Sequence, residues 1–216
     1  MADNTPAAAK PRKRRRDPER TREAILEVSA KLMAKDGPEA LSVSQVAQLA
    51  GVNRGTAYHH FQTREQLVKA TTDWVSEKMC DAVFGGGDQQ RSRPEVILGN
   101  LAHFCVEYPE FGRVWLVRIL SMEDRNQDHF WRQFKSQVDR FVASDVAHEG
   151  IDAEVHSVRV LTSAILWPVW MRSSKASPEE REEMANRFTR EMMRLHLEGL
   201  FRKEKYSDLD QMPMHL

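Results

Sequence analysis

Residues 42–61 read SVSQVAQLAGVNRGTAYHHF. The stretch holds two short helical segments meeting at Gly51. Ser42, with Gln45 three residues on, has the form of a capping box for the first. Asn53 can cap the second, which runs through about His60. Ala47 supplies a small side chain where the two helices cross, and Gly51 permits a left-handed turn that a Cβ would disfavour. Val46, Leu49, Val52 and Ala57 are expected to point inward. Asn53, Arg54, Thr56, Tyr58, His59 and His60 are then left outward. That face is rich in hydrogen-bond donors and carries no acid, which suits the phosphate oxygens and base edges of a duplex groove. Neighbouring histidines suggest metal chemistry, but adjacent residues on a helix point about 100° apart. The remaining histidines show no i,i+4 pairing with Cys or carboxylate. No metal and no cofactor is expected.

The elements around this segment follow from apolar spacing and caps. Asp17-Pro18 opens a first helix that carries Ile25, Val28, Leu32 and Met33 and stops at Asp36-Gly37-Pro38. Thr63 with Gln66 opens a long helix bearing Leu67, Val68, Trp74, Val75, Met79 and Val83, broken by the glycines at 85–87. Ser92 with Glu95 caps the next, closed by Pro109. A shorter helix runs from Phe111 to Met122. Another carries Phe130, Phe134, Val138, Phe141 and Val142, and ends before Gly150. Two long helices, about 152–172 and 178–203, finish the chain, the first marked by Val155, Val158, Leu161, Ile165 and Leu166 and the second opened by Ser177-Pro178-Glu179-Glu180. Pro168 should kink the first of these or loosen one turn. No alternating strand pattern and no repeat is present. The expectation is an all-α protein of about nine helices.

Composition limits the classes. The 216 residues are 41% hydrophobic and 30% charged, as in soluble globular chains. The longest nearly apolar run, Leu161 to Met171, falls well short of the roughly 20 residues a membrane span needs. The N-terminus is basic with no apolar segment behind it, so a secretory signal is not expected. Cys80 and Cys105 read as small core residues of a reducing compartment, and the protein is expected in the cytoplasm. A net charge of zero conceals a split: residues 1–64 hold 12 Lys/Arg against 7 Asp/Glu, and the remainder 20 against 25. Six of the basic residues lie between Lys10 and Arg16. One end can therefore attract nucleic acid although the whole does not. An all-helical enzyme would need a nucleophile–base pair, a metal set or a phosphate loop, and Gly85-Gly86-Gly87 lacks the Lys-Ser/Thr of the last. Catalysis is not expected.

The stretch from Leu41 to Leu67 resembles the N-terminal signature of TetR-type bacterial transcription regulators. The resemblance lies in Val46-Ala47, Ala50-Gly51-Val52, Gly55-Thr56, Tyr58, Phe61 and Arg64-Glu65-Gln66-Leu67. The rest of the chain resembles the family in length and helical layout only. Arg54 and Arg64 stand where lysine is usual, and Ala57 replaces a larger aliphatic, which would let the helix seat deeper. The resemblance implies that Gly55 lets the second helix of the motif approach DNA and that Arg54, Thr56 and His59 contact base edges. Tyr58, His60, Ser42, Ser44 and Arg64 would hold phosphates, with Asn53 at the head of the reading helix. The Arg12–Arg16 tail could follow a minor groove or the backbone.

The resemblance divides the chain into a basic tail (1–16), a helix-turn-helix DNA-binding domain (17–64), a helical ligand-binding and dimerisation domain (65–204) and a C-terminal tail (205–216). It places a small-molecule site among the middle helices, where Phe104, Trp115, Met122, Trp131, Phe134, Trp167 and Trp170 could line an apolar cavity. Helical spacing alone reads each of them as ordinary core. His103, Glu107, Arg113 and Arg118 could supply a polar end. It also makes the last two long helices the homodimer interface. The expected function is that of a dimeric repressor, released from a palindromic operator by a small apolar or amphipathic effector. A DNA-binding architectural or protein-recruiting module without ligand is the alternative.

Overall fold

The structure, a computed structural model, describes residues 17–85 and 93–199. The basic tail, Gly86, Gly87, the cap expected at Ser92 and everything from residue 200 onward lie outside the described residues. Among the described residues nine α-helices run in order: α1 (Pro18–Asp36), α2 (Val43–Leu49), α3 (Arg54–His60), α4 (Arg64–Phe84), α5 (Pro94–Glu107), α6 (Pro109–Ser121), α7 (His129–Val142), α8 (Ala153–Met171) and α9 (Pro178–Glu198). No strand occurs among the described residues, and no helix among them is long and apolar enough to cross a membrane.

Local chemistry sets most of the ends. Asp17 accepts the Glu19 N–H at 3.1 Å and Pro18 takes the first position of α1. Ser177 and Glu180 make a complete reciprocal capping box at α9. Thr63 accepts the Gln66 N–H at 3.2 Å, but the Gln66 side chain takes the N–H of Gln62 instead of Thr63, so that box is half made. Ser42 occupies the cap position of α2 without a side-chain cap bond. This seven-residue helix is held by burial of Val43, Val46 and Ala47. Arg93 precedes α5, whose first residue is Pro94. Pro168 falls within the last turn of α8, which ends at Met171 with Arg172 in the left-handed region. Without an N–H, that proline leaves the Ala164 carbonyl without its helical donor, so what it disturbs is the turn before it.

One apolar core runs through the described chain. Helix α1 packs on α4 and α6, α4 also meets α5 and α7, and α5 lies between α4, α8 and α9. At the α6–α8 crossing a Cβ on Gly112 would come within 3.3 Å of Ile165, so the absence of a side chain sets that close approach. Cys80 and Cys105 are free. Burial pushes both thiols up to about 12, Cys80 with help from Asp128 and Asp81, which leaves them unreactive packing groups.

Helix α8 departs from the spacing argument. Val155, Val158, Leu166 and Trp170 are 64%, 46%, 62% and 78% exposed, whereas Leu161 and Ile165 form its buried face. The helix is apolar on two sides and covered on one. Helix α9 buries Ala185, Phe188 and Met192 and turns charged pairs outward, Arg190 with Glu183 and Arg194 with Glu191.

At the α8–α9 seam the rings of His156 and His196 lie 5.2 Å apart, and Arg159 Nη2 donates to His196 Nε2 at 2.9 Å. Burial, then His156 and Arg159, push His196 down to about 4, and burial, then Arg159, lower His156. The unfolded chain therefore binds these protons more readily. The stability they contribute is complete above about pH 6.5 and is lost as pH falls toward 4. Because both rings reach solvent, about 1 kcal/mol is expected from His196. Denaturant midpoints at pH 7.5 and 5 should show this loss in the parent chain, and it should shrink in His196→Gln.

Candidate nucleic-acid interface

The turn between α2 and α3 is fixed by two backbone bonds. The Val52 N–H reaches the Ala47 carbonyl at 2.9 Å and the Gly51 N–H reaches Gln48 at 3.2 Å, the 6→1 and 5→2 pair of a Schellman motif. It requires the φ of +62° that Gly51 adopts. Asn53 then accepts the Gly55 N–H at 2.8 Å and starts α3. Ala57, Ala47 and Val46 are fully buried against Ile25 and Leu26 of α1. Arg22, 5.6 Å from the Phe61 ring centroid, closes the back of the motif. Leu49 was expected inward and is 58% exposed.

The outward face is as the residue types suggested in its make-up. Asn53, Arg54, Gly55, Thr56, Tyr58 and His59 are exposed and His60 is half-buried, with no acid on the helix. The His59 and His60 rings stand edge to face, 6.0 Å apart. Ser42 is exposed and Ser44 partly so, and the Ser44 and Tyr58 hydroxyls lie 3.2 Å apart in hydrogen-bond contact. Two groups read separately as phosphate binders thus form one pair bridging α2 and α3. Arg64 stands at the start of α4, where its guanidinium donates to the Glu39 carboxylate, to the Glu39 carbonyl at 3.3 Å and to Glu65 at 3.3 Å. Glu39 lies 25 positions away, and no local pattern reveals the pair. Pro18 and Thr21 of α1 were also missed. With Val52, Asn53, Thr56, His59 and His60 they line a hollow beside α3.

The seven aromatic and methionine residues expected around a ligand fall into separate places. Phe104 meets the Tyr108 and Phe111 rings at a tilt, 5.4 and 6.1 Å away. Trp115 meets Phe130 edge-on at 5.4 Å, with Phe134 6.0 Å beyond. Trp131 is buried on the same helix and Met122 is half-buried at the end of α6. Trp167 donates to the Met184 carbonyl at 3.0 Å beneath Arg187. Trp170 faces solvent. An open cleft between α5 and α9 is lined by Asn100, His103, Phe104, Glu107, Tyr108 and Arg181 among others. Phe104 is the member of the expected set found there. Arg113 is exposed, and Arg118 lies elsewhere, against α4.

Residues 25–71 match the family model described as bacterial regulatory proteins, tetR family. The HTH-type transcriptional repressor Rv3405c of Mycobacterium tuberculosis is 39% identical over 56 residues, 26% of this chain and 30% of that protein. The HTH-type transcriptional repressor KstR2 of Mycolicibacterium smegmatis is 32% identical over 79 residues, 35% of this chain and 34% of that protein. These sequence matches span about a third of the relatives' length. A tetR-family regulatory protein from Rhodococcus RHA1 superposes over 82% of this chain and 96% of its own, with a TM-score of 0.61 at 15% identity, a likeness of fold. In sequence the chain is thus similar to the tetR family of bacterial regulatory proteins over residues 25–71, the helix-turn-helix and its flanks, and it shares the fold of such a protein over most of its described length.

Proposed function

We propose that the chain is a homodimeric, sequence-reading DNA-binding regulator, a repressor released from a palindromic operator by a small amphipathic effector. The observation that carries the reading is the acid-free polar face of α3, held outward by the Gly51 turn and flanked by the Ser44–Tyr58 hydroxyl pair. In this reading Arg54, Thr56 and His59 contact base edges. Ser42, Ser44, Tyr58, His60 and Arg64 contact phosphates, Arg64 after leaving Glu39. Residues 17–64 form the reading domain, and the rest of the helical chain forms the effector and dimer domain. One short helix reads few base pairs, so two copies spaced about 34–36 Å apart are needed for useful specificity. The exposed stripe of α8 supplies the apolar centre of the dimer, and the charged outer face of α9 supplies its rim.

The effector site is assigned to the middle helices. The α5–α9 cleft, with Phe104 and Tyr108 beside His103 and Arg181, offers an amphipathic molecule both kinds of contact. The second reading, a module without effector, is favoured by the aromatic residues being packed into separate groups rather than around one space.

Selection of fragments from random duplex DNA by the full chain, at about physiological salt, tests the function. A recovered palindrome supports the reading, while binding without a motif that fades as salt rises overturns it. Tyr58→Phe should weaken every sequence alike, by about three- to tenfold, the worth of one hydrogen bond, with thermal stability nearly unchanged. Unchanged affinity in a mobility-shift titration would remove Tyr58 from the phosphate set.

A further inference from the structure

Of the five groups assigned to phosphates, Ser42, Ser44, Tyr58, His60 and Arg64, the guanidinium is the one that is always charged. In the chain without DNA that charge is already taken. Arg64 Nη1 donates to the Glu39 carboxylate and to the Glu39 carbonyl at 3.3 Å, and Nε donates to Glu65 at 3.3 Å. Two carboxylates thus surround the cation that a phosphate would use.

The position of Arg64 explains why it needs an anion. It is the first residue of α4, at the positive end of the helix, where a cation is disfavoured and an anion is welcome. The two carboxylates are not equivalent there. Glu65 lies in the first turn of α4. Its carboxyl is held below its ordinary value first by its own backbone N–H, and then by Arg64 and Thr63. It therefore serves the helix end itself. Glu39 comes from the short 3-10 turn Pro38–Ala40 that leads to Ser42 and α2. Its side chain is 84% exposed, so it can leave Arg64 at little cost in packing. While Glu39 stays, the site offers a phosphate no net positive charge. When Glu39 leaves, its ion pair is lost. DNA binding is weakened in either case.

We propose that Glu39 is a built-in competitor for the phosphate site at Arg64, an anion that loosens the grip on every duplex alike and leaves the choice of sequence to α3. This deepens, and rests on, the DNA-binding reading. Because Arg64 meets backbone rather than base edges in that reading, its competitor changes affinity without changing preference. Glu39 acts through Arg64 and touches no DNA.

The test uses the full chain with Glu39→Gln, which removes the charge and keeps the side-chain size and the backbone carbonyl that Arg64 also meets. Affinity for a random-sequence duplex and for the palindrome recovered by selection should both rise, by about two- to fivefold at about 150 mM salt, the range of an exposed ion pair. The fall of log affinity with log salt should steepen by about one, since the freed guanidinium releases one more counterion from the duplex. Selection with the variant should return the parent's palindrome. In an Arg64→Gln background, Glu39→Gln should bring little gain, because the two residues act as a pair. An unchanged affinity overturns the competitor, and so does a loss, which would make Glu39 the support that aims Arg64. An equal gain without Arg64 also overturns it, as general repulsion between Glu39 and DNA, and so does an altered palindrome. A parent chain that binds no duplex removes the DNA-binding reading and the competitor together. A parent that binds, with a Glu39→Gln chain that binds no better, removes the competitor alone.

Discussion

Leu166→Glu combined with Trp170→Glu is expected to yield a folded monomer whose operator affinity is lower by about 10²- to 10⁴-fold. Both side chains face solvent in the single chain, so their replacement removes no core packing and should leave helicity and intrachain stability close to the parent. In a twofold assembly each appears twice across a self-complementary face. Two substitutions therefore set four carboxylates against one another where an apolar centre is needed. The loss in binding follows from geometry: a monomer engages one half-site and forfeits the effective concentration that delivers the second reading helix. Light scattering gives the mass and a mobility-shift titration gives the affinity. A dimeric double variant would move the interface off α8.

Phe130→Ala should cause the largest loss of stability, about 3–5 kcal/mol. Its ring is fully buried and lies within 5.4–6.0 Å of the rings of Trp115, Phe84 and Phe134. Truncation opens a space where helices α4, α6 and α7 converge, and the surrounding indole and phenyl groups are too rigid to close it. For a chain of this size the melting temperature should fall by roughly 10 °C. Calorimetry at fixed protein concentration checks this, since association would shift the midpoint. A change of only a degree or two would mean that the site collapses around the missing ring.

What the sequence revealed was whatever is decided within a few residues. The Asp17, Asn53 and Ser177 caps, the left-handed Gly51 and the acid-free face of α3 each follow from neighbours along the chain, and all appear in the structure. Ser42 is the local exception. It stands at a cap position, yet its helix is held by the burial of the residues that follow. Apolar periodicity identified which faces avoid water without saying what covers them. Leu49, Val155, Val158 and Leu166 satisfied the spacing and lie exposed. The expected lining residues failed to converge for the same reason: helical spacing placed Trp115, Trp167 and Trp170 on their helices but not the neighbours each would meet. The pairs Arg64–Glu39 and Ser76–Asp128 join residues 25 and 52 positions apart, and no short pattern reports them.

The exposure of Trp170 gives the chain an optical gauge of its own assembly. Of the five tryptophans, Trp74, Trp115 and Trp131 are buried and Trp167 is half-buried, while Trp170 stands in water. Pairing through α8 would dry that indole and leave the three buried ones as they are. The emission spectrum would then shift toward the blue as protomers associate and toward the red on dilution, without any added label.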